Sequence, residues 1–106
     1  MGRSEAAREV LQRRREELES TIAGIQRDER SETASGETDN AQEWEEAEIR
    51  EGELQSTRRE LADVEAALGR LDRGEYGVCE RCGSRIADDR LTLLPATALC
   101  AVCAKD

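Results

Sequence analysis

The chain has no histidine and no phenylalanine, and its aromatic residues are a single tryptophan and a single tyrosine. Without histidine, no imidazole is available as a metal ligand or as a general base. With so few aromatic residues and only 37% apolar residues, we do not expect a single compact core. No apolar run approaches the length of a membrane span, and the first residues lack the apolar segment of a secretion signal. We therefore expect a cytoplasmic protein that does not contact a membrane.

Charged residues are abundant, at 39% of the chain, which is typical of long helices that bury one narrow seam each. The net charge of -9 is concentrated in residues 37–65, which contain eleven acidic and three basic residues. This acidic segment repels phosphate backbones, so we do not expect it to bind DNA or RNA generally. The negative charge of this segment would instead favour binding to a basic cleft or a metal-containing site on a partner.

Apolar residues recur at helical spacing in two stretches. The first stretch contains Leu11, Leu18, Ile22 and Ile25, and the second contains Leu54, Thr57, Leu61, Val64, Leu68 and Leu71. Spacings of three, four and seven residues are those of a coiled-coil seam. Residues 31–40, between the two stretches, are rich in turn-forming residues and have no large apolar side chain. We therefore predict an antiparallel coiled-coil helical hairpin over residues 1–72, with its tip near residues 31–41.

The ends of the two helices follow from capping residues. Ser4 is a plausible N-cap for the first helix, whose polar and apolar pattern continues to about Glu32. Asp39 is followed three residues later by Gln42, the spacing of a capping box. The second helix is therefore predicted to begin at Asp39 or Asn40.

Four cysteines lie near the C-terminus in two C-x-x-C pairs, Cys79 with Cys82 and Cys100 with Cys103. Two such pairs, separated by a loop that can fold back, are typical of a tetrahedral four-thiolate zinc site, and we predict a zinc finger over residues 73–106. Disulfides are typical of secreted proteins, and the sequence shows no secretory signal. A redox-active C-x-x-C is typical of a βαβ unit, and the sequence shows no such pattern. An iron-sulfur cluster also uses four thiolates, and a metal assay distinguishes it from zinc.

Local turns complete the predicted finger. Gly83 follows the first cysteine pair, where a turn that points backbone N–H groups at sulfur commonly needs a positive φ. Between the two pairs, residues 85–87 and 91–94 are predicted to form a short β-hairpin that ends at Pro95.

The finger carries a longer motif than the cysteines alone. Residues 74–83 read Gly-Glu-Tyr-Gly-Val-Cys-Glu-Arg-Cys-Gly, and they are followed by Ile86, Arg90-Leu91, Pro95-Ala96-Thr97 and the second cysteine pair. This pattern closely resembles the finger of the DksA/TraR family of bacterial transcription regulators. Longer members of that family place an antiparallel coiled coil before the finger, as the apolar seams predict for this chain.

The resemblance implies a function. In that family the coiled coil enters the secondary channel of RNA polymerase, and residues at its tip act near the active site without cleaving DNA or binding it specifically. The tip signature is an aspartate and an alanine separated by one residue, and Asp39 and Ala41 match it. The resemblance thus implies a monomeric transcription regulator that binds RNA polymerase and holds one structural zinc ion. Asp39 also fits the simpler role of an N-cap, and the two roles are compatible.

Part of the family pattern is missing. Members that act with guanosine tetraphosphate have basic residues on the second helix and around the finger. The matching positions here are Asp63, Leu94 and Ala104, none of which is basic. The resemblance therefore does not extend to a direct response to that nucleotide.

Two other binding functions remain open at this point. The first is a zinc-stapled adaptor that binds another protein through its helices without binding polymerase. The second is a nucleic-acid-binding zinc ribbon that uses Arg81, Arg85 and Arg90, which the balanced charge of the finger and its few aromatic residues disfavour. We do not expect an enzyme, because four cysteines close the coordination sphere of the metal and no histidine can serve as a base.

Overall fold

The computed structural model describes most of the chain. It covers the backbone of residues 3–35 and 41–105 and the side chains of residues 4–27 and 46–105. Its helices are α1 (Arg3–Ser35), α2 (Ala41–Asp72), α3 (Asp88–Leu93) and α4 (Ala101–Ala104). The fold is therefore mainly α, with a long helical hairpin followed by a small cysteine-rich finger, as predicted. Among the described residues, none of the helices is long and apolar enough to cross a membrane.

The boundaries of the two long helices lie close to those expected from capping. The first helix already includes Arg3, so Ser4 lies inside it and is not its N-cap, and it continues three residues beyond the predicted end, from Glu32 to Ser35. The second helix begins at Ala41. Asp39, the predicted capping residue, lies outside the described residues. The division into a hairpin over residues 1–72 and a finger over residues 73–106 stays a prediction.

One compact unit consists of Met1–Arg15 together with Ala62–Asp106. Within it, Arg8 Nη1 donates a hydrogen bond to Asp72 Oδ1 at 2.9 Å, so the beginning of α1 lies beside the end of α2. This contact is consistent with an antiparallel hairpin. The apolar side chains that this part of the hairpin buries are Leu11, Val64, Ala67, Leu68 and Leu71. All of them except Ala67 belong to the predicted seams.

The other compact unit is Glu16–Leu61. Leu18 and Leu54 are buried there, and the remaining seam positions, Ile22, Ile25, Thr57 and Leu61, are half-buried. Thr57 occupies an apolar position at little cost because its hydroxyl donates to the carbonyl oxygen of Glu53 at 2.7 Å, inside its own helix.

The β-hairpin predicted between the cysteine pairs is wrong. Of the described residues, only Val78 and Arg85 form a β-bridge, and residues 88–93 form α3 instead. Acidic Asp88 and Asp89 occupy the first turn of α3, where the helix dipole favours negative charge. Leu91 points into the finger and is buried, whereas Leu93 is 80% exposed, so this short helix buries one of its two leucines where a strand pair was expected.

Candidate metal centre

The first cysteine pair lies in a tight turn stabilised by backbone hydrogen bonds. The N–H of Cys79 donates to Ser84 O at 2.8 Å, and the N–H of Gly83 donates back to Cys79 O at 2.9 Å. Gly83 has φ 76°, a left-handed conformation that costs a glycine almost nothing. The prediction of a positive φ at this position is therefore confirmed.

The second cysteine pair spans the start of α4. Cys100 is its N-cap residue, and the N–H of Ala104 donates to Cys100 O at 3.0 Å. One turn of helix places the side chains of Cys100 and Cys103 on the same face. The turn that holds each cysteine pair is called a knuckle. A backbone hydrogen bond from Glu80 N–H to Ala98 O, at 2.9 Å, connects the segment before the second pair to the first knuckle, Cys79 to Cys82.

The four thiol sulfurs form one cluster. The Sγ atoms of Cys79, Cys82, Cys100 and Cys103 all lie within 4.8 Å of one another, and those of Cys82 and Cys100 are 3.8 Å apart. Sulfurs at the corners of a tetrahedron with zinc–sulfur bonds of about 2.3 Å are about 3.8 Å apart. A disulfide would need about 2.05 Å, and all four cysteines are free. Both the donor set and its size therefore fit a zinc ion.

The surroundings shift the pKa values of these thiols in different directions. Backbone hydrogen bonds from Cys100 and then Cys82 lower the pKa of Cys79 to about 6, and the Ser84 side chain lowers the pKa of Cys82. Burial, together with the neighbouring cysteine side chains, raises the pKa of Cys103 to about 12. A metal that binds all four as thiolates must displace protons, so its affinity increases with pH.

A small apolar cluster lies beneath the sulfurs. Cys79, Ile86 and Leu91 are buried together, and Tyr76 and Leu99 pack against them. The Tyr76 hydroxyl donates to Pro95 O at 2.8 Å, which satisfies its polar end. These few side chains are a very small core for a folded segment, so the finger needs a further source of stability.

Two of the arginines suggested for nucleic-acid contact bind the finger itself. Arg90 Nε donates to Leu99 O at 3.0 Å, beside the second cysteine pair, and Arg81 Nη1 donates to Cys103 O at 3.4 Å. Arg85 contributes its backbone to the bridge with Val78. These contacts give Arg81 and Arg90 an internal structural role.

Sequence inspection missed Arg70, a charged side chain that the structure buries. Its guanidinium hydrogen-bonds to Glu80 Oε1 and to the carbonyl oxygens of Ala96 and Thr97. The apolar spacing of α2 gave no signal for it, because position 70 lies outside the predicted seam and its acceptors lie ten or more residues further along the chain.

The predicted tip residues are not described to the same extent. Asp39 lies outside the described residues, and Ala41 is the first residue of α2, with its side chain outside them as well. Their role at a partner stays a prediction.

Comparison with known proteins finds one matching family and one similar curated sequence. Residues 74–106 match the prokaryotic dksA/traR C4-type zinc finger. An uncharacterised protein of Aquifex aeolicus is 44% identical over 46 residues, which span 43% of this chain and 32% of that protein. The aligned part of this chain thus spans about a third of that curated relative.

Two solved structures resemble nearly the whole chain. Transcription factor DksA2 from Pseudomonas aeruginosa is 30% identical with a TM-score of 0.83, over 96% of this chain and 80% of that one. A DnaK suppressor protein from Agrobacterium tumefaciens is 31% identical with a TM-score of 0.69, over 99% of this chain and 94% of that one. With the four-cysteine cluster, the finger match identifies the cofactor as one zinc ion per chain. The chain belongs to the DksA/TraR family.

Proposed function

We propose that this protein regulates bacterial transcription by binding RNA polymerase through its secondary channel, with Asp39 and Ala41 of the coiled-coil tip near the active site. The observation that carries the proposal is the match to a transcription factor over 96% of this chain, at a TM-score of 0.83. That match includes the helical hairpin as well as the finger, so it extends to the element that would enter a channel. A polymerase partner would also place the protein in the cytoplasm.

In this proposal Cys79, Cys82, Cys100 and Cys103 are the zinc ligands, and the finger has a structural role. Four protein ligands complete a tetrahedral zinc site and leave no open position for water or substrate. The zinc supplies a rigid cross-link between the two cysteine pairs. The protein would therefore act by occupying and perturbing its partner, without a catalytic step of its own.

The charge of the hairpin suits a channel better than it suits DNA. The described part of α2 exposes a run of acidic side chains: Glu46, Glu48, Glu51, Glu53, Glu60, Asp63 and Glu65. Negative charge along the helix attracts basic channel walls and repels the phosphates of free nucleic acid. Within the proposal, this surface guides insertion and disfavours direct DNA binding.

The tip is tested by Asp39→Asn, compared with Glu19→Gln on α1 as a matched loss of one exposed acidic charge outside the acidic surface of α2. Asparagine caps a helix about as well as aspartate, so the fold should be unchanged. We expect both variants to bind polymerase with wild-type affinity, and only Asp39→Asn to lose the effect on open-complex lifetime at a sensitive promoter. Affinity is measured by titration against labelled polymerase.

Two other outcomes would contradict parts of this proposal. Full regulatory activity of Asp39→Asn would reduce Asp39 to a helix cap and contradict the tip assignment. Failure of the wild-type protein to bind polymerase would contradict the proposed function and favour an adaptor that binds another protein through its helices.

A further inference from the structure

Arg70 is the buried charged side chain at the end of α2, with its side chain only 5% exposed. Its Nη1 donates to Glu80 Oε1 at 3.4 Å, and its Nη2 lies 3.3 Å from both Ala96 O and Thr97 O. All three acceptors belong to the finger, ten to 27 residues further along the chain. The last turn of α2 is thus attached to the finger through one guanidinium.

The acceptors come from both halves of the finger. Glu80 lies inside the first knuckle, between Cys79 and Cys82, whereas Ala96 and Thr97 lie in the segment that leads to the second cysteine pair. The hydrogen bond from Glu80 N–H to Ala98 O, at 2.9 Å, holds these two halves together. Arg70 therefore reaches its acceptors only while the two cysteine pairs are held close to each other.

A buried guanidinium without acceptors is unfavourable, because it loses its hydration and gains nothing in return. The three hydrogen bonds of Arg70, at 3.3 to 3.4 Å, are long, so no single one of them is strong. Arg70 depends on the whole set, and the set depends on the folded finger. If the finger opens, the charge can reach water only if the end of α2 also rearranges.

We propose that Arg70 is a positioning residue that couples zinc binding in the finger to the order of the end of α2. This inference rests on the proposed assignment of the four cysteines as zinc ligands. With zinc bound, the two knuckles present Glu80, Ala96 and Thr97 to the guanidinium, and α2 is ordered to its end. Without zinc, the acceptors separate, the guanidinium turns to water, and residues 62–72 open. Because coupling is reciprocal, Arg70 also stabilises the zinc-bound finger.

Arg73 provides a matched control at the same end of the helix. Its Nε donates to Glu75 Oε2 at 3.0 Å, two residues away, and its side chain is 58% exposed. The contact is local and in water, so it does not join the two halves of the finger. Loss of Arg73 removes one positive charge from the same region without removing a bridge.

The test measures two quantities in the full-length wild type, Arg70→Met, Arg70→Lys and Arg73→Met. The first is zinc affinity, by competition with a chromophoric chelator. The second is the ratio of amide protection factors of residues 62–72 between zinc-loaded and chelated protein. We expect at least a tenfold ratio in the wild type. A loss of outer contacts to a metal site typically weakens metal binding 10- to 100-fold, so we expect about tenfold weaker zinc binding in Arg70→Met.

In Arg70→Met the ratio of protection between the zinc-loaded and chelated states should fall to about threefold or less. Methionine carries no charge that must reach water, so the end of α2 can stay ordered when the finger opens. Arg70→Lys keeps the charge and the long stem but has one ammonium in place of the fork, so both its values should be intermediate. It also keeps the test decisive if Arg70→Met folds poorly. Arg73→Met should match the wild type in both measurements.

Three results would overturn the proposal. Wild-type zinc affinity with a wild-type protection ratio in Arg70→Met would refute the coupling. Equal losses of protection in the zinc-loaded and chelated states would make Arg70 a purely structural residue and also refute it. Wild-type zinc affinity in Cys82→Ser would instead overturn the ligand assignment, and the coupling with it.

Discussion

Two parts of the same helix bury their side chains very differently. In residues 62–72 of α2, the buried side chains are Val64, Ala67, Leu68, Arg70 and Leu71. In residues 46–61, Leu54 is buried and the other large apolar side chains are partly or mostly exposed, with Ile49 at 61%. Both parts follow the same seam, so periodicity alone does not set the depth of burial.

The difference comes from what each part has to pack against. The end of α2 is in one compact unit with the finger, and Arg70 bonds to it directly. The part from 46 to 61 contributes a sparse seam flanked by exposed acidic side chains. Within the finger, the buried cluster of Cys79, Ile86 and Leu91 is too small to fold unaided. The metal should therefore dominate stability at one end, and helix packing elsewhere.

The largest expected effect on this contrast comes from removing zinc. Structural zinc in finger peptides supplies roughly 10 to 16 kcal/mol of apparent binding free energy at neutral pH, far more than a three-residue cluster supplies. Chelation should unfold residues 74–106 while the helices of Glu16–Leu61 remain. Amide spectra with and without chelator check this, together with a metal assay that should give one zinc per chain. A finger spectrum unchanged in Cys82→Ser would contradict the prediction.

The next effect comes from truncating one apolar side chain in each part of α2. Leu68 is 7% exposed and Ile49 is 61% exposed. Leu68→Ala should lower the free energy of unfolding by about 2 to 5 kcal/mol, because it removes buried methyl groups and leaves a cavity. Ile49→Ala should change it by less than about 0.5 kcal/mol. Urea unfolding of the zinc-loaded protein measures both, and equal losses would show that the two parts are buried alike in solution.

Much of the fold and of the metal centre could be predicted from the residues themselves. The three-and-four spacing of Leu54, Val64, Leu68 and Leu71 predicted the buried face of α2, and the structure confirms that these side chains are buried. Cysteine spacing predicted a single cluster of sulfurs, which the structure also shows. Both patterns are local consequences of helix and turn geometry, so they need no knowledge of the tertiary contacts.

What the sequence did not predict depends on tertiary contacts. Residues 91–94 have the apolar content of a strand, yet Leu91 only needs to reach Ile86, and the short helix that begins at Asp88 achieves this. Arg70 is hydrophilic, and it is buried only because Glu80 and two carbonyl groups from a distant segment converge on it. No local pattern specifies such a convergence of acceptors.

A smaller effect, of opposite sign at two positions, comes from replacing glycine. A Cβ at Gly52 would have no neighbour within 4 Å, so Gly52→Ala should stabilise the helix by about 1 kcal/mol. Gly77 has φ 86° and a Cβ there would meet Leu91 Cδ1 at 3.4 Å, so Gly77→Ala should destabilise the finger by about 1 to 2 kcal/mol. Thermal unfolding of the zinc-loaded variants checks both signs. Stabilisation by both changes would mean that Gly77 does not need its left-handed conformation.

The smallest expected effect concerns Tyr76, whose hydroxyl donates to Pro95 O at 2.8 Å inside the finger. Tyr76→Phe removes this hydrogen bond and should cost about 0.5 to 1.5 kcal/mol at neutral pH. Burial raises the pKa of Tyr76 above 10, although the nearby Arg70 charge lowers it in part.

Because the pKa of Tyr76 is higher in the folded protein than in the unfolded chain, the stability linked to it is complete below about pH 10 and is lost as the pH rises through the folded pKa. The wild type should therefore lose its advantage over Tyr76→Phe in alkaline solution. Unfolding curves of the two zinc-loaded proteins between pH 7 and pH 11 measure that difference directly. A constant difference over this range would show that the Tyr76 hydroxyl titrates alike in the folded and unfolded states, and that this end of the molecule is more open to water than its packing indicates.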